Sequence, residues 1–260
     1  MTAASPCAYQ PIGNHPMSTF KVILEYDGTH YAGWQRQLDQ PTIQAAVEDV
    51  LALVAQERIA VVGAGRTDAG VHALGQVASF RTEKPLNPAD WFRALNGLLP
   101  KDICVRSVQQ AAEEFHARYS ATGKLYEYRI LNRPERPALD RDRVWHLRKG
   151  LDLAAMREAA AILLGHRDFS SFEGSPTENR NPMCRLERLL LHHEDDLIRI
   201  EAYADRFLRQ MVRAIVGTLV EVGRGTRTAG SLPAVLAAKT RAAGGRTAPP
   251  HGLYLMRVDY

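Results

Sequence analysis

Apolar and polar positions follow regular patterns along most of the chain. Alternation with a period of two, as in residues 20–26, is typical of a half-buried strand. The same pattern predicts further strands at residues 59–62, 76–80, 103–108, 125–131, 186–191, 197–202 and 253–259. Between these strands the apolar residues change to a helical spacing, so the chain alternates between the two kinds of element.

Three helices are predicted to begin after the N-cap residues Thr42, Asn87 and Asp152, and the third is predicted to end at Gly165. A longer helix is predicted where apolar residues recur from 207 to 222. This order of elements predicts an α+β fold of two similar halves. Each half would be an antiparallel sheet backed by helices, with a catalytic cleft between the halves.

The same patterns divide the chain into three parts. Residues 1–17 hold prolines, a glycine and small polar residues without periodicity, so we predict a disordered N-terminal arm. Residues 18–115 are predicted to form an N-terminal α+β domain that carries a candidate catalytic loop. Residues 116–260 are predicted to form a C-terminal α+β domain.

Composition indicates a folded protein, because 45% of the residues are hydrophobic and 24% are charged. No apolar run approaches the roughly 20 residues that span a bilayer. The N-terminus lacks the basic start and apolar core of a signal peptide. We therefore expect a cytoplasmic protein with no membrane attachment.

No residues are spaced like a metal site. Cys7, Cys104 and Cys184 are far apart and form no C-x-x-C pair, so neither a disulfide scaffold nor a zinc knuckle is indicated. Residues 192–196 include two histidines and two aspartates, but they lie between two predicted strands and lack helical i, i+4 spacing. A solvated turn accounts for them, and we predict no metal site.

Charge indicates an anionic partner. The formal net charge is +4, and most of the 33 basic residues are arginines. Residues 118–149 hold nine basic residues against four acidic ones, and residues 224–257 hold no acidic residue. Arginine suits phosphates and stacked bases, so nucleic acid is favoured over a membrane. A GC-rich genome, which favours arginine codons, would produce a similar excess.

The most distinctive local feature is the glycine-rich segment 63–73, which follows a predicted strand. It does not match a phosphate-binding loop, because no Lys-Ser/Thr pair follows Gly70 and Asp68 stands where a dinucleotide motif needs glycine. Arg66 lies two residues before Asp68, and a nearby guanidinium favours an ionised carboxylate. That arrangement suits a nucleophile or an electrostatic stabiliser. An Arg–Asp pair that ties a hairpin fits the same residues.

Residues 65–73, GRTDAGVHA, resemble the catalytic signature of the tRNA pseudouridine synthase A (TruA) family. From about residue 20 to the C-terminus, other segments resemble further blocks of that family in the same order: Tyr26-Asp27-Gly28, Gly33-Trp34-Gln35-Arg36-Gln37, 120–122 with 124–128, 168–172, 207–213 and 248–260. One departure is Gln210, where the family pattern leads us to expect asparagine. This departure affects local geometry only, because the resemblance implies no catalytic role for Gln210.

The resemblance implies the pseudouridine synthase fold and an isomerase without a cofactor. The implied reaction cleaves the N-glycosidic bond of a uridine, rotates the uracil and rejoins it through C5. The implied substrate is tRNA, at positions 38, 39 and 40 of the anticodon stem-loop, and the implied assembly is a homodimer. A base inside a stacked stem must be flipped out before it can enter a pocket.

The resemblance also implies roles for single residues. Asp68 matches the nucleophilic aspartate, Tyr126 matches a tyrosine that packs on the uracil and is a candidate general base, and Arg213 matches the arginine that pairs with the aspartate. Attack on the sugar, attack on the base and removal of a sugar proton by Asp68 all remain open. Without the family, Tyr126 reads as an inward-facing strand residue. Arg213, four residues after Arg209 on the predicted helix, reads as a solvated charge.

The implied substrate contacts are Tyr126, Arg66, Gln35, Arg36 and His72. Arg66 matches a residue that holds the flipped-out state or contacts RNA. Gln35 and Arg36 lie in a loop whose aromatic and amide groups can stack on bases and bond to their edges. The neighbouring Trp34 could instead fill the hinge between the halves. His72 fits a residue that orders the loop better than it fits a second base.

Two classes of protein other than an isomerase fit part of this pattern. A non-catalytic RNA-binding module would keep the basic surface and would tolerate loss of Asp68 without a change in function. A carboxylate-dependent nucleoside hydrolase would act on free nucleosides, would not need a large basic surface, and would release free uracil.

Overall fold

The computed structural model describes residues 16–174 and 181–260, so the predicted N-terminal arm lies almost wholly outside the described residues. The strands are β1 Ser18–Tyr26, β2 Val61–Gly63, β3 His72–Thr82, β4 Ile103–Ala111, β5 Gly123–Asn132, β6 Trp145–Leu147, β7 Gly165–Asp168, β8 Met183–Glu194, β9 Leu197–Ala204 and β10 Leu253–Asp259. The helices are α1 Ile43–Ala55, α2 Pro88–Leu98, α3 Leu153–Leu163, α4 Met211–Gly223 and α5 Leu232–Ala238. The predicted α+β class is confirmed.

All of these strands belong to one ten-stranded sheet, in which the order is β4-β1-β3-β10-β5-β9-β8-β7, with β2 paired to β3 and β6 paired to β5. Within each half the pairing is antiparallel, except that β6 runs parallel to β5. The halves meet where β10 lies parallel to β3, with His72 opposite Tyr254 and Ala73 opposite Leu255. One sheet therefore runs through both halves, and the domain division at residue 115 stays a prediction.

The predicted N-caps of the first three helices are confirmed. The side chains of Thr42, Asn87 and Asp152 each accept a hydrogen bond from the backbone N–H three residues later. These bonds satisfy donors that a helix leaves unpaired at its first turn. Gly165 follows α3 with φ +104°, a conformation that favours glycine and stops the helix.

The long helix begins later than the sequence pattern predicted. Gln210 has φ 60° and ψ 6°, and this left-handed conformation interrupts the helical path, so α4 starts at Met211. Phe207 and Arg209 therefore precede the helix, and the prediction that Arg209 and Arg213 lie one turn apart on it is wrong. Apolar residues recur at helical spacing across this point, which is why the pattern alone could not show the interruption.

Replacing Gln210 with asparagine is expected to stabilise the protein by roughly 0.5–1 kcal/mol. Asparagine adopts the left-handed conformation more readily than glutamine does. Urea unfolding of Gln210→Asn against the parent measures the difference. A variant that is less stable than the parent would show that the glutamine side chain, which packs against Gly174, matters more than its backbone conformation.

Helices pack against the strands of their own half. In the first half, α2 places the fully buried Trp91 edge-on against the rings of Phe20 and Phe80. In the second half, α4 is buried along most of its length and contacts α3 and β5. Dense packing of this kind resists displacement, so a side chain at the start of α4 has a rigid support.

The group of histidines and aspartates at residues 192–196 lies at the end of β8 and in the turn to β9, where Asp195 has φ 52°. Among residues 16–174 and 181–260, no group of three or more His, Cys, Asp or Glu side chains is placed to hold a metal ion. In the same residues no helix is long and apolar enough to cross a membrane.

Candidate active site

Asp68 lies in residues 64–71, the loop that joins β2 to β3. The Val71 N–H donates to the Asp68 carbonyl at 3.1 Å, and the Trp34 N–H donates to the Thr67 carbonyl at 3.0 Å. These bonds fix the backbone on both sides of Asp68. A fixed backbone is what a preorganised catalytic group requires.

The segment before α1 packs so closely on this loop that glycine is required. Gly33 has φ +100°, and a Cβ there would lie 2.6 Å from the Thr67 carbonyl oxygen. Trp34 is fully buried, and its ring covers Gly63, where a Cβ would lie 2.5 Å from the indole. Of the two uses considered for Trp34, the structure therefore favours packing over stacking on a base.

Asp68 meets the second half of the protein through Arg213, in the first turn of α4. Arg213 Nη1 donates to Asp68 Oδ2 at 2.7 Å, and Arg213 Nε donates to the Ala248 carbonyl at 2.8 Å. The two side chains are only 12% (Arg213) and 28% (Asp68) exposed. Asp68 Oδ1 accepts no hydrogen bond from a described residue, so one carboxylate oxygen is held by Arg213 and the other is not.

Arg66 does not hold the carboxylate. The loop buries Thr67 and leaves Arg66 exposed, and Arg66 forms no hydrogen bond or ion pair with a described residue. The guanidinium that pairs with Asp68 is therefore not that of Arg66, two residues away, but that of Arg213, which is 145 residues away. A role for Arg66 in contacting RNA stays a prediction.

Tyr126 lies on β5 with its ring edge-on to Phe207, at 5.1 Å between centroids. Burial raises the pKa of the Tyr126 hydroxyl, and the neighbouring Tyr26 and Asp68 raise it further. The phenol is therefore protonated at neutral pH. In this environment Tyr126 is suited to packing on a base and donating a hydrogen bond, and it is poorly suited to act as a phenolate base.

Two buried residues that the sequence did not single out for the site support the loop. The Tyr26 hydroxyl lies 2.8 Å from Thr67 Oγ1, and Gln76 Nε2 donates to the Gly65 carbonyl at 2.9 Å. Burial raises the pKa of Tyr26 to about 12, so its hydroxyl stays neutral. The residues on either side of Arg66 are thus tied to β1 and β3.

Lys124 is a second feature that sequence reasoning did not assign to the site. It lies two residues before Tyr126 on β5, and a Cβ built on Gly65 would be 3.6 Å from Lys124 Nζ. A cation therefore lies against the loop that carries Asp68. The only indication of this in the sequence was that Lys124 lies in residues 124–128, which resemble a block of the family.

Gln35 and Arg36 direct their polar groups towards α1. Gln35 Nε2 donates to Gln44 Oε1 at 2.7 Å. Arg36 pairs with Glu48 and with Asp49, each at 2.6 Å, while 44% of its side chain stays exposed. No contact of either side chain with Asp68 is present among the described residues. Their roles as substrate contacts stay predictions.

His72 is buried at the start of β3, with a side chain only 3% exposed. Its Nδ1 accepts from the Gly28 N–H at 3.1 Å and also lies 3.1 Å from Asp27 Oδ1, and its Nε2 lies 3.1 Å from the Asp142 carbonyl and 3.2 Å from the His251 carbonyl. The Gly28 N–H and the two carbonyls match a neutral ring with its proton on Nε2, and burial lowers the pKa of the ring despite the nearby Asp27 carboxylate. The placement favours a residue that orders the loop, and direct contact of His72 with substrate stays a prediction.

The free energy of unfolding is expected to fall as the pH drops below about 6.5. Burial lowers the pKa of both His72 and His251, so the folded protein keeps both rings neutral where the unfolded chain would protonate them. The stability that the neutral rings contribute above the ordinary histidine pKa is therefore lost as the pH falls through the lower pKa values of the folded protein. The loss is up to ~1.4 kcal/mol per pH unit for each ring.

Urea unfolding between pH 7.5 and pH 5 measures this dependence, and His72→Gln should reduce the slope. Burial opposes ionisation of Asp27, but bonds from Thr29 and Arg143 outweigh it and hold the pKa of Asp27 at about 2. Its contribution disappears only below about pH 4, outside the measured range. A slope that His72→Gln leaves unchanged would contradict the neutral, buried imidazole.

The fold and this site define an α+β protein in which an aspartate from one half pairs with an arginine from the other, near a buried tyrosine. A family model described as tRNA pseudouridine synthase matches residues 22–120 and 159–260. The chain therefore belongs to the tRNA pseudouridine synthase family, whose members are isomerases. The family and the enzyme class predicted from the resemblance are confirmed.

Named relatives match over nearly the whole chain. The tRNA pseudouridine synthase A of Acetivibrio thermocellus is 43% identical over 245 residues, which cover 94% of this chain and 100% of the relative. The proteins of the same name from Afipia carboxidovorans and Rhodopseudomonas palustris are 45% and 46% identical, with the same coverage.

Proposed function

We propose that this protein converts uridine to pseudouridine at positions 38, 39 and 40 in the anticodon stem-loop of tRNA, with Asp68 as the nucleophile. The observation that carries the proposal is the Asp68–Arg213 pair, which joins the two halves at 2.7 Å and leaves Asp68 Oδ1 without a hydrogen bond from any residue in 16–174 and 181–260. The names of the relatives support the substrate class.

The contacts of the site suit this chemistry. Arg213 fixes the direction of the Asp68 carboxylate, and the buried ring of Tyr126 offers a flat surface on which a flipped-out uracil can pack. Attack by Asp68 on the sugar or on the base is compatible with this arrangement, and so is removal of a sugar proton. In each route the bond from C1′ to N1 is replaced by one from C1′ to C5, N1 gains a proton and C5 loses one to water.

The proposal also includes two partners, tRNA and a second copy of the chain. Phosphate contacts would come from the arginines of residues 118–149 and 224–257, and Arg66, Gln35 and Arg36 would contact the RNA near the target. Binding should then weaken steeply as salt is added. A homodimer in the cytoplasm completes the proposal, and sedimentation equilibrium tests the dimer.

The Asp68–Arg213 pair favours an enzyme over a non-catalytic RNA-binding module. Shielding two charges from water costs free energy even when they are only partly buried, and an RNA-binding module has no use for a carboxylate held that way. Folding stability alone is a weak reason to keep such a pair, because similar buried pairs are often no more stabilising than apolar residues.

Mapping the product tests the proposal. An unmodified tRNA with uridine at positions 38, 39 and 40 is compared with three transcripts in which one of these uridines is replaced by cytidine, and pseudouridine is located by carbodiimide modification and primer extension. We expect each replacement to remove the signal at its own position only. Modification at other sites would contradict the proposed positions, and release of free uracil would favour the hydrolase.

A further inference from the structure

The two halves of the sheet are joined over a very short length. Among the described residues, β3 and β10 pair only at His72–Tyr254 and Ala73–Leu255. Beyond that point β3 pairs with β2 instead, from Ala78 to Phe80. We call the two residue pairs the inter-half joint. The relative position of the halves near Asp68 depends on what reinforces this joint.

The His72 imidazole reinforces it from inside. In the first half it bonds to the backbone of Gly28 and lies 3.1 Å from Asp27 Oδ1, and in the second half it lies within 3.2 Å of the carbonyls of Asp142 and His251. Its ring also stacks on Tyr254, at 4.8 Å between centroids. One buried side chain thus contacts three separate segments from both halves.

An ion pair reinforces the joint from outside. Arg143 in the second half donates to Asp27 Oδ2 in the first half at 2.8 Å. The Tyr254 hydroxyl donates to the Arg143 carbonyl at 2.8 Å and so connects this arginine to the stacked ring. Because Arg143 is more than half exposed, the imidazole is the better shielded of the two connections.

The catalytic groups are divided between the halves in the same way. Asp68 lies four residues before His72 in the first half, whereas Tyr126 and Arg213 belong to the second half. A displacement of about 1 Å between catalytic groups can cost on the order of 100-fold in rate. The joint at His72 is therefore placed where a small shift between the halves would change the spacing of Asp68 and Arg213.

We propose that His72 is a positioning residue that sets the spacing between Asp68 and its partners in the second half by bonding to both halves at once. The proposal rests on the proposed function for its kinetic test. It assigns His72 no contact with the substrate, so its loss should affect the chemical step and leave binding of tRNA unchanged.

Two substitutions each keep one hydrogen-bonding function of the imidazole and remove the other. His72→Asn keeps an acceptor near Nδ1 for the Gly28 N–H, and His72→Gln keeps a donor near Nε2 for the two carbonyls. Neither side chain can bond to both halves. We expect each variant to lower kcat by about 10-fold or more, with KM for tRNA within twofold of the parent. A folded variant with the parent kcat, or a change in KM alone, would overturn the proposal.

His116→Asn is the matched control. His116 Nδ1 accepts two backbone N–H bonds, from Arg118 and Tyr119 at 3.1 Å, so it orders a turn as His72 does but lies away from the joint. We expect this variant to keep the parent kcat, and an equal loss would overturn the proposal. If the His72 variants fail to fold, Asp27→Asn weakens both the ion pair with Arg143 and the contact with His72 Nδ1 instead. It should lower kcat with KM unchanged, and a parent kcat would overturn the proposal.

Amide hydrogen exchange separates this proposal from the proposed function. The Val71 N–H donates to the Asp68 carbonyl, so its exchange rate reports the order of the loop without any turnover. Faster exchange in His72→Gln but not in His116→Asn supports positioning even if the parent forms no pseudouridine. Unchanged exchange at Val71 in folded His72→Gln overturns it.

Discussion

Asp68→Asn is expected to reduce the rate of pseudouridine formation by at least about 1,000-fold, since removal of a nucleophile typically costs that much or more. Asparagine has nearly the same shape and can still accept a bond from Arg213, so the loop should keep its conformation. The change removes no cationic contact to a phosphate. Affinity for tRNA should therefore stay within about threefold of the parent.

Single-turnover rates and filter binding on one tRNA preparation measure the two quantities separately. Asp90→Asn is the matched control, because Asp90 is a helix residue paired with Arg93 in the first half, and it should keep the parent rate. An Asp68→Asn variant with a rate within tenfold of the parent would remove Asp68 from the role of nucleophile.

Arg213→Ala is expected to lower kcat by roughly 100-fold or more and to destabilise the protein by about 1–3 kcal/mol. The substitution leaves the Asp68 carboxylate largely buried without its partner, and it removes the bond to the Ala248 carbonyl. Unpaired groups of this kind cost more than the intact pair contributes. The kcat of Arg213→Lys should fall between those of the parent and Arg213→Ala. Lysine restores the charge but lacks the planar fork that bonds to both Asp68 and the Ala248 carbonyl.

A double-mutant cycle tests whether Arg213 acts through Asp68. If it does, adding Arg213→Ala to Asp68→Asn should cost little further activity, since the two groups work as a unit. Both variants are compared at a temperature where each is fully folded. Activity losses that simply multiply would assign Arg213 a role independent of the aspartate.

Local features of the fold followed from the sequence with good accuracy. Thr42, Asn87 and Asp152 cap helices as predicted, and Gly165 follows the third helix in the conformation that favours glycine. Each depends on a few neighbouring residues, which is why composition and spacing suffice. The left-handed Gln210 could not be predicted this way, because glutamine carries no signal for that conformation.

Long-range features were harder to predict from the residues alone. The partner of Asp68 is Arg213, which is 145 residues away, and the local sequence favoured Arg66. The resemblance supplied Arg213, whereas spacing and charge indicated only a solvated helix residue. The single sheet was not predicted either, because pairing between β3 and β10 depends on tertiary contacts that a period-two pattern does not encode.

The residues that support the loop carrying Asp68 could not be predicted from the sequence pattern either. The sequence identified Gln76 only as the first residue of a predicted strand, yet its amide donates a hydrogen bond to the Gly65 carbonyl. Tyr26 was part of an alternating strand pattern, and its hydroxyl reaches Thr67 beside Asp68. A strand pattern predicts which face is buried but not which buried polar atoms meet.

Release of tritium from tRNA that carries uridine labelled at C5 tests the central claim most directly, because formation of the C1′–C5 bond must expel that hydrogen. The parent protein and Asp68→Asn are assayed side by side on unmodified tRNA. We predict release to water by the parent and none above background by the variant. No release by folded parent protein would contradict the isomerase, and equal release by both proteins would contradict the role of Asp68.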